Sequence, residues 1–131
     1  MIKKNGNGKL YWEDYYYDGS WENNGKEGLG QIYKNGKLIF EGTWSNDKKS
    51  GRGISYNEKR MKEYEGEWLN DKKNGKGKLF YEDGDYYDGH FVNDKRHGYG
   101  MVLSKGKLIC SGNFIDDKFQ YGKNEAPKKH C

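Results

Sequence analysis

From residue 17 the chain alternates with a period of two: Tyr17, Gly19 and Trp21 fall on one side, Asp18 and Ser20 on the other. That is the pattern of a strand with one buried face. A polar run, Asn23-Asn24-Gly25-Lys26, interrupts it. Asn, Asp and Gly tolerate left-handed backbone and cap turns with their own side chains, so the run predicts a chain reversal. A second strand follows, and Lys34-Asn35-Gly36-Lys37 predicts another turn. The elements read strand, turn, strand, turn.

The same pattern returns along the chain. Tyr17-Asp18-Gly19-Ser20-Trp21 recurs as Phe40-Glu41-Gly42-Thr43-Trp44, Tyr64-Glu65-Gly66-Glu67-Trp68 and Tyr87-Asp88-Gly89-His90-Phe91, then fades into Cys110-Ser111-Gly112-Asn113-Phe114. A second block begins seven residues after each of the first four: Gly28-Leu29-Gly30, Gly51-Arg52-Gly53, Gly75-Lys76-Gly77 and Gly98-Tyr99-Gly100. The turns between the blocks repeat too, as Asn46-Asp47, Asn70-Asp71 and Asn93-Asp94. A fixed period of this size marks a repeat architecture, in which each unit buries its apolar face against its neighbours.

The expected fold is therefore all-β: an elongated single-layer antiparallel sheet of stacked β-hairpin repeats. At about 4.8 Å per strand, five units of two strands would extend roughly 50 Å. Residues 1–16 are expected to form an N-terminal partial repeat or cap, because Gly6-Asn7-Gly8-Lys9-Leu10-Tyr11 resembles a second strand without its first. The repeats follow over 17–121, as 17–39, 40–63, 64–86, 87–109 and a degenerate 110–121. The polar segment 122–131 is expected to be a frayed tail.

The glycines have two expected uses, tight turns and close approach. With no Cβ, a Gly lets a ring on the neighbouring strand lie flat against the backbone. Gly19, Gly28, Gly30, Gly42, Gly51, Gly53, Gly66, Gly75, Gly77, Gly89, Gly98 and Gly100 are assigned this structural role. Tyr17, Trp21, Phe40, Trp44, Tyr64, Trp68, Tyr87 and Phe91, with Phe114 beyond them, form a ladder on one face. In a single layer that ladder is read as both the core and a concave surface able to grip a partner peptide or helix.

Composition narrows the function classes. Hydrophobic content of 32% against 34% charged residues excludes a thick two-layer core, while 20 Gly and 16% aromatics exclude a helical or typically disordered chain. The net charge of +4 is interleaved along the chain without a basic stripe, so nucleic acid is not an expected partner. No window approaches a membrane span and no signal peptide is visible, which gives the expectation of a cytoplasmic protein. Cys110 and Cys131 are the only cysteines, and no structural disulfide is expected between them.

Catalysis needs converging groups, and none converge in the sequence. His90, His97 and His130 have no Cys or Ser partner at useful spacing; His90 reads as a solvent-facing strand residue. The Gly-x-Gly blocks lack the Gly-Lys-Ser/Thr ending of a phosphate loop. Asp18, Glu41, Glu65 and Asp88 form a row, one per repeat, read as charges pairing across strands rather than as metal ligands. No enzyme activity, cofactor or metal is expected.

Over residues 17 to 121 these motifs resemble MORN (membrane occupation and recognition nexus) repeats, whose unit reads approximately Tyr-x-Gly-x-Trp, a turn, then Gly-x-Gly. A His often precedes the second block in that family; here it stands only as His97, being Glu27, Ser50 and Asn74 elsewhere. That variable position reads as solvent-exposed or turn-supporting. The resemblance implies a non-enzymatic protein-interaction or scaffold module; the atypical terminal repeats argue for a monomer and the unpaired edge strands for at most a weak homodimer, and association with the cytoskeleton or a membrane is the further expectation for a cytoplasmic chain. A peripheral phospholipid-binding module is the alternative, and anionic lipid its partner.

Overall fold

The computed structural model describes residues 4–131; Met1–Lys3 of the expected N-terminal cap lie outside the described residues. Eleven strands occur, and no helix is found among the described residues. The chain divides into two compact units, Met1–Lys72 and Lys73–Cys131.

The first unit contains β1 (Gly6–Trp12), β2 (Tyr15–Glu22), β3 (Gly25–Lys34), β4 (Lys37–Ser45), β5 (Lys48–Tyr56) and β6 (Lys62–Leu69). Each strand is antiparallel to the next in sequence. The second unit contains β7, which opens at the border (Lys72–Phe80), β8 (Tyr86–Val92), β9 (Lys95–Ser104), β10 (Lys107–Ile115) and the two-residue β11 (Lys118–Phe119), paired in the same manner. The stacked antiparallel hairpins are those the sequence predicts. The segment expected to be a strand without its partner is β1, and it pairs with β2 through Gly8 opposite Gly19.

A row of glycines sets the register. In the first unit Gly8, Gly19, Gly30, Gly42, Gly53 and Gly66 face one another strand by strand. In the second unit Gly77, Gly89, Gly100 and Gly112 do the same. Against this row lie the rings. A Cβ on Gly30 would overlap the phenol of Tyr17, and one on Gly53 would stand 2.6 Å from Cζ of Phe40.

The two glycines of each Gly-x-Gly block perform different tasks. The second belongs to the ring-facing row. The first is a bulge: between Gly19 opposite Gly30 and Trp21 opposite Lys26 the register shifts, and Gly28 takes φ +83°. Gly51 and Gly98 repeat this at φ +90° and +98°, beside the register shifts after Gly42 and Gly89. Such backbone is open to glycine at little cost and strained for other residues.

The two-residue turns between the blocks hold neighbouring units together. Both of their residues have positive φ, as in Asn46 (50°) and Asp47 (70°). Asp47 donates its N–H to the Lys26 carbonyl at 3.0 Å and accepts from the Lys26 N–H through Oδ1 at 3.1 Å. The same reciprocal pair joins Asp71 to Lys49, Asp94 to Lys73 and Asp117 to Arg96. Asn24 and Lys4 form it at the start of the chain. The variable position before the first block glycine adds a further bond: Glu27 accepts from the Asn46 N–H and His97 Nδ1 from the Asp116 N–H. Of its two expected readings, turn support is the one found at these units.

Candidate functional site

The ring ladder is the core. Tyr17, Phe40, Tyr64, Tyr87, Phe91 and Phe114 are 0–1% exposed and Trp21, Trp44 and Trp68 are 5–7% exposed. The rings meet edge to face, with Tyr17–Trp44 centroids at 5.4 Å, Phe40–Trp68 at 5.2 Å and Tyr87–Phe114 at 5.0 Å. Their outer side is closed by long basic side chains from the turns. Lys26 lies over Tyr17 and Trp44, Lys49 over Phe40 and Trp68, and Arg96 over Tyr87 and Phe114. The methylene stems of such residues cover apolar surface while the charge stays near water, and the cation favours the ring faces. The expectation that the ladder is also an open concave surface is corrected: a partner meets lysine and arginine before it meets a ring. Burial also pushes the Tyr17 and Tyr87 phenols up to about 12, with nearby Asp47 adding to the shift at Tyr17.

The opposite face of the first unit is open. Asp18, Gln31, Glu41, Ile54 and Glu65 stand opposite one another on β2 through β6, forming a row across the sheet. With Leu29 and Arg52 they line a cleft of about 460 Å³ whose floor is Gly30, Gly42 and Gly53. Leu29 is 71% exposed. Three carboxylates and one guanidinium line the cleft, so its lining is acidic in a chain that is basic as a whole, with Lys62 paired to Glu65 and Lys9 opposite Asp18 at its border.

Its carboxylates are oriented by neighbours. The Tyr56 hydroxyl donates to Glu41 Oε1 at 2.7 Å, and the Gln31 amide donates to Oε2 at 3.4 Å. Lys62 Nζ donates to Glu65 at 3.0 Å. Burial, then the bond to Glu41, pushes the Tyr56 phenol up to about 12. Tyr33 extends the row beside the cleft, stacked on Tyr16 at 4.6 Å and donating to Gln31 at 2.8 Å. The carboxylate row was legible in the sequence. The cleft was not, because its floor is the bare backbone of the same glycines whose missing Cβ faces the rings on the other side.

A second cluster lies in the second unit; of its residues the sequence singled out His130 alone, as a histidine without a Cys or Ser partner. The loop 81–85 between β7 and β8 is closed by Tyr81 N–H to Asp85 O at 2.9 Å and Gly84 N–H to Tyr81 O at 3.0 Å. It presents Asp83 and Asp85 to the chain end. There Lys129 Nζ lies 2.8 Å from Asp83 Oδ2 and 3.2 Å from Asp85 Oδ2, and His130 Nε2 is 2.7 Å from Asp83 Oδ2. The His130 ring stacks on Tyr81 with centroids 3.9 Å apart, and its carbonyl accepts from Arg96.

The next residue, Cys131, is joined to Cys110. Two expectations are thereby corrected: the cysteines form a disulfide, and the segment 122–131 is anchored rather than frayed. The anchors lie 21 to 47 residues away in sequence and each is made once, which is why the polar composition of the tail concealed them. Lys129 first, then the Asp85 N–H and His130, hold the Asp83 carboxyl well below the usual carboxylate range, and Asp83 in turn raises the Lys129 ammonium.

Stacked hairpins with a row of backbone-contacting rings, a glycine register and an open opposite face define a β-hairpin repeat module of the interaction class. The MORN repeat family matches residues 2–15, 17–37, 40–56, 64–86 and 87–103, and the chain belongs to it. The first match falls within the segment expected to be an N-terminal partial repeat or cap, and the last ends before 110–121. MORN repeats are non-enzymatic modules that generally serve protein or membrane interaction. No curated protein matches the chain. Among the described residues no helix is long and apolar enough to cross a membrane.

Proposed function

We propose that this chain is a non-enzymatic docking module whose acidic cleft in the first unit holds a basic, extended segment of a partner protein. The observation that carries this reading is the position of Asp18, Glu41 and Glu65 on every second strand of one row. Strands lie about 4.8 Å apart, so successive carboxylates are separated by roughly 9.6 Å along the row. A polyproline II segment rises about 3.1 Å per residue with three residues per turn, which returns a side chain to the same face every 9.3 Å. A partner carrying Arg or Lys at every third residue matches the row. A β-strand partner does not, since its side chains alternate faces. Leu29 and Ile54 supply apolar contact between the charges. An anionic lipid surface would be repelled here.

The test uses two synthetic peptides of equal charge, Arg at positions 1, 4 and 7 with Pro between, or Arg at 1, 3 and 5. Binding is read by fluorescence anisotropy at about 0.15 M salt, where loose surface attraction is screened. The first peptide is expected to bind tighter, and Glu41→Lys with Glu65→Lys to lose at least about tenfold, near 1.4 kcal/mol. Equal binding of the two peptides, or no loss in the double variant, overturns the reading. Sedimentation with phosphatidylserine vesicles that survives in the double variant points instead to a membrane.

A further inference from the structure

The cluster at the end of the second unit has the composition and spacing of a metal site. Asp83 Oδ2, Asp85 Oδ2 and His130 Nε2 lie within 4.8 Å of one another. His130 Nε2 is 2.7 Å from Asp83 Oδ2 and 3.5 Å from Asp85 Oδ2. Zinc bonds of roughly 2.0–2.2 Å in a tetrahedron place donor atoms about 3.3 Å apart. The two observed separations bracket that value, so small side-chain rotations bring the donors to it.

An independent observation concerns Asp85. It is 2% exposed, and its Oδ2 is buried without a hydrogen bond. The Ser104 hydroxyl serves its carboxylate and Lys129 Nζ approaches Oδ2 as an ion pair at 3.2 Å. A buried carboxylate oxygen whose close partners are one exposed ammonium and the His130 imidazole at 3.5 Å is a group that a cation placed directly on it stabilises. His130 is fixed for that purpose: its ring lies flat on Tyr81, its carbonyl is held by Arg96, and the adjacent Cys131 is tied to Cys110. Lys129, by contrast, reaches the carboxylates with a side chain that is 58% exposed.

We propose that Asp83, Asp85 and His130 form a binding site for a first-row divalent cation of the Zn²⁺ kind, with Lys129 as the single positive charge it displaces. Two carboxylate oxygens and an imidazole nitrogen suit zinc and its neighbours, whereas magnesium and calcium favour all-oxygen sets. Water completes the four ligands. The imidazole binds through Nε2 in the tautomer carrying hydrogen on Nδ1, and any proton on Nε2 passes to solvent. Through His130 the ion ties the chain end to the β7–β8 loop. The site therefore couples metal to the docking of residues 122–131.

Zn²⁺ is titrated into the oxidised 131-residue chain in competition with a chromophoric chelator, so that no cysteine thiolate takes part. One ion per chain is expected, with affinity tighter than about 0.1 mM. His130→Gln, a change on the chain-end segment, is expected to weaken it at least about tenfold, as is Asp85→Asn after circular dichroism shows it folded. Lys129→Met removes the competing charge and should tighten binding, while Mg²⁺ should not compete. Binding that His130→Gln leaves unchanged, or that Lys129→Met weakens, or no uptake by the unmodified chain, overturns the proposal and leaves an ion-paired latch.

Discussion

The ring of Phe40 lies against the backbone of Gly53 so closely that a methyl there would stand 2.6 Å from Cζ and 3.0 Å from the Trp68 indole nitrogen. Neither ring can retreat, since both belong to the buried ladder. Gly53→Ala is accordingly expected to cost about 2–3 kcal/mol by overpacking. Gly36, in an open turn at φ +78° with no atom within 4 Å of its ideal Cβ, provides the contrast. Gly36→Ala should cost only the roughly 1 kcal/mol of left-handed strain. Urea midpoints of the two variants measure the difference.

The clamp between units predicts a graded series. Asp47→Ala removes the acceptor for the Lys26 N–H and puts alanine at φ +70°. A loss of about 2 kcal/mol is expected from the missing bond and the strain together. Asp47→Asn keeps an acceptor oxygen and a residue that tolerates this backbone, losing only an exposed ion pair worth under about 1 kcal/mol. Thermal melts of both variants at equal protein concentration decide whether the series holds.

Alkaline pH should unfold the chain earlier than its peptide chemistry requires. Tyr17 and Tyr87 have folded values near 12 against an ordinary 10, so below pH 10 both states bind the phenolic protons equally. Between pH 10 and 12 the unfolded chain gives them up and the folded chain does not, so stability falls as pH rises through this window. Tyr17→Phe, the residue type that Phe40 shows to be accepted in the ladder, should flatten that fall. Tyrosinate absorbance and circular dichroism, followed together, should change in one step.

How much was legible depended on range. The alternation around Gly19 and the Asn-Asp turns are local and periodic, and they specified the hairpins and the glycine register. The cover over the ladder was missed because Lys26 and Lys49 read as polar, although their methylenes do the covering. The disulfide, the Tyr81–His130 stack and the Asp83 cluster occur once each, and a single long-range contact leaves no periodic trace.

Reduction should release the chain end. The Cys110–Cys131 bond closes a loop of 21 residues, for which chain entropy gives about 3 kcal/mol. In Cys131→Ser, trypsin is expected to cut at Lys128 and Lys129 sooner than in the oxidised parent, with the β9–β10 hairpin still intact. Mass spectrometry of timed digests reads the order of cleavage. Equal rates would mean that the stack on Tyr81 and the ion pairs suffice.

The two sides of the hairpin stack differ in their freedom to vary. On the clamped side every reversal has two residues, because Asp47, Asp71, Asp94 and Asp117 must each reach back to the previous unit. On the other side the Asn35 N–H reaches the Asp14 carbonyl at 2.8 Å without a reciprocal side-chain bond, and the loops run from Asn35-Gly36 to the five residues of 57–61 and 81–85. That side is the natural place for insertion or grafting, where a loop can be lengthened without disturbing a single glycine of the register. The 81–85 loop, which brings Asp83 and Asp85 to His130, is an instance of what such an edge can acquire: chemistry belonging to one repeat alone, on a scaffold whose other parts are interchangeable.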